Sequence, residues 1–298
     1  MLAKGSLVSI LSFFLCTPAF SEATANKAGQ WTTNPIDVFV EHGIHAEDAE
    51  ALCRYIANDT GGYTIRRRVR AYKCRGLDII PGLMALLKEE RLPFDRMPLR
   101  KRPAETQPIG LSDVYWWLGA CSDPRAEDLV LDFFYAHVPH RIERWGDVSV
   151  LKALMYPLGW QATTKAMDLV FEMLQREYWL REFGLEFPSG REQGPEVEIA
   201  VRELRQHALR VLAESGHERA LAALATGEGI PEDMAGDLPS RFETAVRHSV
   251  GFLGYPELAG REVPPEILKK IENVYREYNK IYVPKFGKRC SGDSPGNQ

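Results

Sequence analysis

Apolar residues recur with a helical period along most of the chain. The pattern is clearest between residues 114 and 134. Val114, Trp117, Leu118 and Cys121 fall at i, i+3, i+4 and i+7, and Ala126, Leu129, Val130, Phe133 and Phe134 repeat the spacing after a break. Each series draws one apolar stripe along a helix, so the stretch predicts two amphipathic helices joined by a tight turn. Asp123 stands where an N-cap belongs, Pro124 suits the first helical position, and Glu127 and Asp128 favour the positive end of the second helix.

Weaker copies flank this unit. Helices are expected over 46–57, 64–73 and 77–90, the last two joined at Arg75-Gly76. Farther on, Val150, Ala153, Leu154 and Pro157 lead into a turn at Leu158-Gly159-Trp160, and Ala166, Leu169, Val170, Met173 and Leu174 follow it. Val197, Ala200, Val201, Leu204, Ala208, Val211 and Leu212 mark a long helix ending at Ser215-Gly216, with a short partner over 217–225. Helices over 240–253 and 265–282 complete the series. No run alternates apolar and polar residues as a strand does. The expected fold class is all-α.

Gly76, Gly119, Gly159, Gly216 and Gly254 separate the helices at intervals of 43, 40, 57 and 38 residues, and the long interval holds residues 183–195, read as an insertion loop. A period near 40 with two helices per unit is the signature of HEAT or armadillo arrays. Leu118-Gly119-x-x-x-Asp123-Pro124-Arg125-Ala126 resembles the turn of a HEAT repeat of the short bacterial kind. Leu158-Gly159 and Leu253-Gly254 match its first half, while Arg75-Gly76 and Ser215-Gly216 match only the glycine. The resemblance covers roughly Ala46 to Tyr282. It implies an α-solenoid of about five helix–turn–helix units, curved and right-handed, and typically a protein-binding scaffold. The expected layout is a signal peptide over 1–21, an irregular segment over 22–43, the array over 44–283 and a flexible tail over 284–298.

The leader reading rests on Lys4, an apolar run from Leu7 to Leu15, the break at Thr17-Pro18, and small residues at Ala19 and Ser21. The run is too short to span a bilayer, and no later segment is long enough, so the mature form has no membrane span. The expected address is periplasmic or secreted. Export makes Cys53, Cys74, Cys121 and Cys290 disulfide candidates, with the pairing left open.

Charge adds a surface to this picture. The formal net charge is −4, which argues against wholesale nucleic-acid binding. Residues 64–102 nevertheless carry twelve basic and four acidic side chains. That asymmetry creates a field able to steer an anionic partner, an acidic protein or an anionic envelope polymer. Its candidates are Arg66, Arg67, Arg68 and Arg70, with Arg100, Lys101 and Arg102 on a basic strap over 91–109 that prolines keep extended. Trp116, a quarter-turn off the apolar stripe, and Trp179 are candidate exposed aromatics at the same surface.

Candidate chemistry is sparse. The pairs His42/His45 and His137/His140 have metal-ligand spacing, but Gly43 and Pro139 interrupt the helices that would hold them, and no metal is expected. No nucleophile elbow, zinc-protease motif or phosphate loop occurs. The sequence therefore points to a non-enzymatic interaction scaffold or adaptor without a cofactor. The alternative is a cell-wall or glycan-binding protein or enzyme with an aromatic-lined groove.

Overall fold

Nearly every stretch of the computed structural model that can be described is helical; it describes residues 34–59, 61–88, 109–185, 187, 195–252 and 269. The leader at 1–21, Arg100, Lys101, Arg102, Gly254, Cys290 and the tail over 284–298 lie outside them. The helices are α1 (Pro35–Glu41), α2 (Ala46–Asn58), α3 (Gly62–Cys74), α4 (Ile80–Lys88), α5 (Leu111–Ala120), α6 (Glu127–His137), α7 (Trp145–Gln161) and α8 (Thr164–Glu172). There follow α9 (Arg176–Glu182), α10 (Pro195–Ser215), α11 (Glu218–Thr226) and α12 (Leu238–Phe252). Tight 3-10 turns cover Pro124–Ala126 and Glu232–Asp237, and two short strands, β1 (Arg141–Ile142) and β2 (Gly184–Leu185), pair in parallel. Among the described residues, no helix is long and apolar enough to cross a membrane.

The packing follows a row. α5 lies against α7, α7 against α10, and α10 against α12, while α6 flanks α7, α8 flanks both α7 and α10, and α11 flanks α10 and α12. One hydrophobic core runs through the row from Val38 in α1 to Ala245 in α12. α5 is its most enclosed member. All ten of its residues are buried because α2, α3, α4, α6 and α7 all pack on it. A helix covered all round has no outer face, and that removes the exposed position expected for Trp116.

Two glycines expected in turns lie inside helices instead. Gly119 belongs to α5 and Gly159 to α7. A Cβ on Gly119 would sit 2.6 Å from the Pro157 backbone, and one on Gly159 would sit 2.8 Å from the Val211 carbonyl oxygen. They are the notches through which α5 meets α7 and α7 meets α10. The chain turns three residues after each, at Ser122 and Ala162, with φ of 49° and 50°. Gly76 and Gly216 are turn glycines as expected, with φ of 72° and 73°.

Two further differences have local causes. Residues 35–41, expected within an irregular segment, form α1, because Asn34 Oδ1 accepts from Ile36 N at 3.2 Å, Pro35 takes the first helical position, and Val38 and Phe39 are buried. The described start of the 183–195 segment packs into the core through Phe183, Leu185 and Phe187, pinned by the β1–β2 bridge. Two-residue strands are too short to announce themselves by alternation.

Candidate functional site

Three inter-helix turns share one design, and together they build the candidate site. Each has a left-handed residue, Ser122, Ala162 or Gly216. Next comes the N-cap position of the following helical segment, Asp123, Thr163 or His217. Two residues beyond each cap stands a cation: Arg125, Lys165 or Arg219. Each cation reaches back to an acid of the preceding helix pair. Arg125 meets Asp78 at 2.7 Å, Lys165 meets Asp128 at 2.7 Å, and Arg219 pairs with Asp168. Exposed pairs of this kind contribute little stability. Each ties its turn to the helices that precede it.

The caps differ in a way that matters. Asp123 caps its own turn by accepting from Arg125 N at 2.9 Å, and His217 Nδ1 accepts from Arg219 N at 3.2 Å. Thr163 makes no such bond. The N-terminus of α8 is served from outside, by Glu127 of the previous pair, whose Oε1 accepts from Lys165 N at 3.0 Å.

Between these turns lies a groove of about 380 Å³, lined by Ser122, Pro124 and Glu127 from the first, residues 161–164 from the second, and Ser215, Gly216 and His217 from the third. Most of its polar groups are engaged. Gln161 Nε2 donates to Asp123 O at 2.5 Å, Ser122 Oγ donates to Trp160 O, and Ser215 Oγ donates to Leu212 O at 2.8 Å and accepts from His217 N at 3.0 Å. Two oxygens in the lining have no partner: Gln161 Oε1 and Thr163 Oγ1. Gln161 is 1% exposed.

A second hollow, about 230 Å³, lies at the preceding turn beside Lys73, Asp78, Cys121, Asp123 and Arg125. Here the polar groups satisfy one another. Arg125 donates to both Asp78 and Asp123, and these bonds hold both carboxyls below their ordinary range. Lys73 Nζ donates to Cys121 O at 2.8 Å.

Two of the four described arginines expected to meet a partner, Arg66 and Arg68, are engaged inside the molecule. α3 lies across the C-terminal ends of the helix row. Arg66 is buried and donates to Glu214 O at 2.6 Å and Ser215 O at 3.2 Å, the last carbonyls of α10. Lys73 does the same for α5, and a Cβ at Gly62 would strike the Trp160 ring of α7. Cations at helix C-termini answer both the orphan carbonyls and the negative end of the dipole. Burial lowers the Arg66 guanidinium to about 10, although Glu214 opposes the shift. Arg68 pairs with Asp59 and lies 3.5 Å above the Tyr55 ring. Arg67 is exposed and Arg70 half-buried.

The aromatic candidates are interior. Trp116 is 4% exposed and packs with Tyr156 and Trp160. Trp179 is wholly buried, donates from Nε1 to Met173 O at 2.7 Å and stacks on Phe183. Cys74 is disulfide-bonded, whereas Cys53 and Cys121 are free thiols, both pushed up to about 12 by burial and so unreactive. His42 and His45 are helix caps, and His137 stacks on Phe133. Among the described residues, no three His, Cys, Asp or Glu side chains gather as metal ligands.

No sequence motif marks Gln161 or Thr163. The available signal was positional: Thr163 stands 40 residues after Asp123, two before a cation. No protein-family model matches the chain, and no curated protein or solved structure is significantly similar to it.

Proposed function

We propose that the protein is an exported, non-enzymatic interaction scaffold, an α-solenoid of HEAT-like helix pairs that receives a partner along its inter-helix turns. The observation that carries the reading is the groove of about 380 Å³ that spans three successive turns, with Ser122, Glu127, Thr164 and His217 in its lining. The row α5–α7–α10 and the cation–acid pairs between successive units support the repeat arrangement. The contact surface moves from the basic face of α3, where Arg66, Arg68 and Lys73 are committed internally, to the turns. The glycan reading keeps one supporting observation, Trp145, which is 45% exposed beside Phe187.

Site-directed photo-crosslinking in the expressing cell tests the scaffold. A photoreactive phenylalanine analogue replaces Thr164, exposed at the groove, and in a control replaces Asp132, exposed on α6. One discrete protein adduct from position 164, absent at 132, is the expected result. Equal labelling at both positions overturns the reading. N-terminal sequencing of the same material tests export, with Glu22 the expected first residue.

A further inference from the structure

We propose that Cys74 is joined to Cys290, and that this disulfide fastens the C-terminal end of the chain to the helices at its N-terminal end. The inference rests on the export reading, because export supplies the oxidising surroundings.

The assignment is by elimination. The chain has 5 cysteines. Cys74 is disulfide-bonded and Cys53 and Cys121 are free thiols, which leaves Cys16 and Cys290. Cys16 lies in the segment read as a leader, so processing removes it. A chain that keeps its leader stays in a reducing compartment, where a disulfide does not persist. The conditions that allow the bond therefore also remove Cys16. Cys290, which lies outside the described residues, is the remaining partner.

The thiols left free are those that burial protects. Cys121 is 1% exposed at the C-cap of α5, and Cys53 is half-buried against the core. Burial pushes both up to about 12, so neither supplies the thiolate that attacks a disulfide. Cys74 is exposed as the last residue of α3. Formation of its bond needs a donor disulfide, of the kind that thiol oxidases of exported compartments carry. One thiolate of the pair attacks the donor and expels one donor sulfur as a thiol. The other thiolate then breaks the mixed disulfide and expels the second. Cys74 and Cys290 are oxidised by the electron pair that reduces the donor, and their protons end on the donor's sulfurs.

The attachment point is braced on both sides. Arg75 pairs with Asp48 of α2 at 2.7 Å, and Lys73 Nζ donates to Cys121 O at 2.8 Å. Residues 284–298 offer one large apolar side chain, Phe286, so a covalent bond rather than packing is what can position that end. In a stack of helix pairs each unit touches only its neighbours. A bond from residue 74 to residue 290 couples the first units to the last. It also closes a very long loop, where a cross-link restricts the unfolded chain most.

The test traps thiols with N-ethylmaleimide as the mature protein is recovered from the exported fraction. The protein is then denatured in the same reagent and digested without reduction. Mass spectrometry should find the label on Cys53 and Cys121, and a peptide carrying Cys74 joined to one carrying Cys290, lost on reduction. In Cys290→Ser, Cys74 should take up the label in the native protein, where the buried thiols stay slow. That variant, and the wild type under reductant, should melt about 5–10 °C lower than the oxidised wild type.

Cys74 labelled as a thiol on a chain that begins at Glu22 overturns the pairing and leaves export standing. Cys74 joined to Cys16 on a chain that still begins at Met1 overturns both. A doubled intact mass without reductant places the bond between two chains and overturns the proposal. Equal melting of the variant and the oxidised wild type overturns the coupling of the two ends.

Discussion

Arg66 and Arg67 are neighbours in sequence and opposites in role. A rotation of about 100° per residue turns one guanidinium onto the last carbonyls of α10 and the other to solvent. Arg66→Met keeps the buried stem and removes the donors, leaving two carbonyls at a helix end without their cation. The expected cost is about 2–3 kcal/mol, from hydrogen bonds made by a charged group, read from urea unfolding. Arg66→Lys should recover only part of it, because an ammonium lacks the planar fork that serves two carbonyls at once. Unchanged midpoints for both would show that α3 is held by its apolar contacts alone. A smaller effect of opposite sign belongs to Ala162, which adopts φ of 50° without being glycine. Ala162→Gly relieves that strain and should raise stability by about 0.5–1 kcal/mol, net of the entropy glycine costs.

Two glycines of the helices separate close approach from mere flexibility. A Cβ at Gly119 has nowhere to go, since the Pro157 backbone stands 2.6 Å away and backbone cannot swing aside. Gly119→Ala should therefore destabilise by about 1–3 kcal/mol as α5 and α7 are forced apart. Gly146, in the first turn of α7, would meet only the Arg144 side chain, at 3.9 Å. Gly146→Ala should be neutral or stabilising by about 0.5 kcal/mol through helix propensity. Thermal melts of the pair decide whether the helix row depends on that notch. The contrast also shows what sequence can and cannot carry. Period 3.6 located most of the helices, and the Asp123-Pro124 pair announced its turn correctly. A glycine, however, looks the same whether it turns the chain, as Gly216 does, or admits a neighbour, as Gly159 does. The basic run was legible as charge, but its destination was not, because Glu214 and Ser215 lie 148 and 149 residues from Arg66. Trp116 was assigned outward by its own helix, and only the five elements packed around α5 make it interior. The groove was invisible for the same reason. Its three walls meet only in the folded row.

At the scale of the whole molecule, the packing of α7 against α10 stores a dependence on pH. His207 of α10 is half-buried, with Nε2 bonded to Lys152 O at 2.8 Å and its ring edge-on to Tyr156 at 4.7 Å. Burial lowers its pKa from 6.5 to about 4; the bond to the Lys152 carbonyl opposes this, while Lys152, Arg210 and Arg241 push in the same direction as burial. The folded state therefore holds the neutral ring where the unfolded chain binds a proton. A depressed pKa contributes stability that is full above 6.5 and is lost as pH falls from 6.5 toward 4. The loss across that window should be about 3 kcal/mol, at most ~1.4 kcal/mol per pH unit. Asp78 and Asp123 act later. Arg125 holds their carboxyls low, so what they contribute is lost only below the ordinary aspartate value of about 4. Urea midpoints at pH 7, 6, 5, 4 and 3 separate the two windows. His207→Gln, which keeps an amide donor for the Lys152 carbonyl, should flatten the slope between 6.5 and 4 and leave the steeper fall below it. If the variant and the wild type lose stability in parallel over that range, the α7–α10 contact does not exclude the proton from His207.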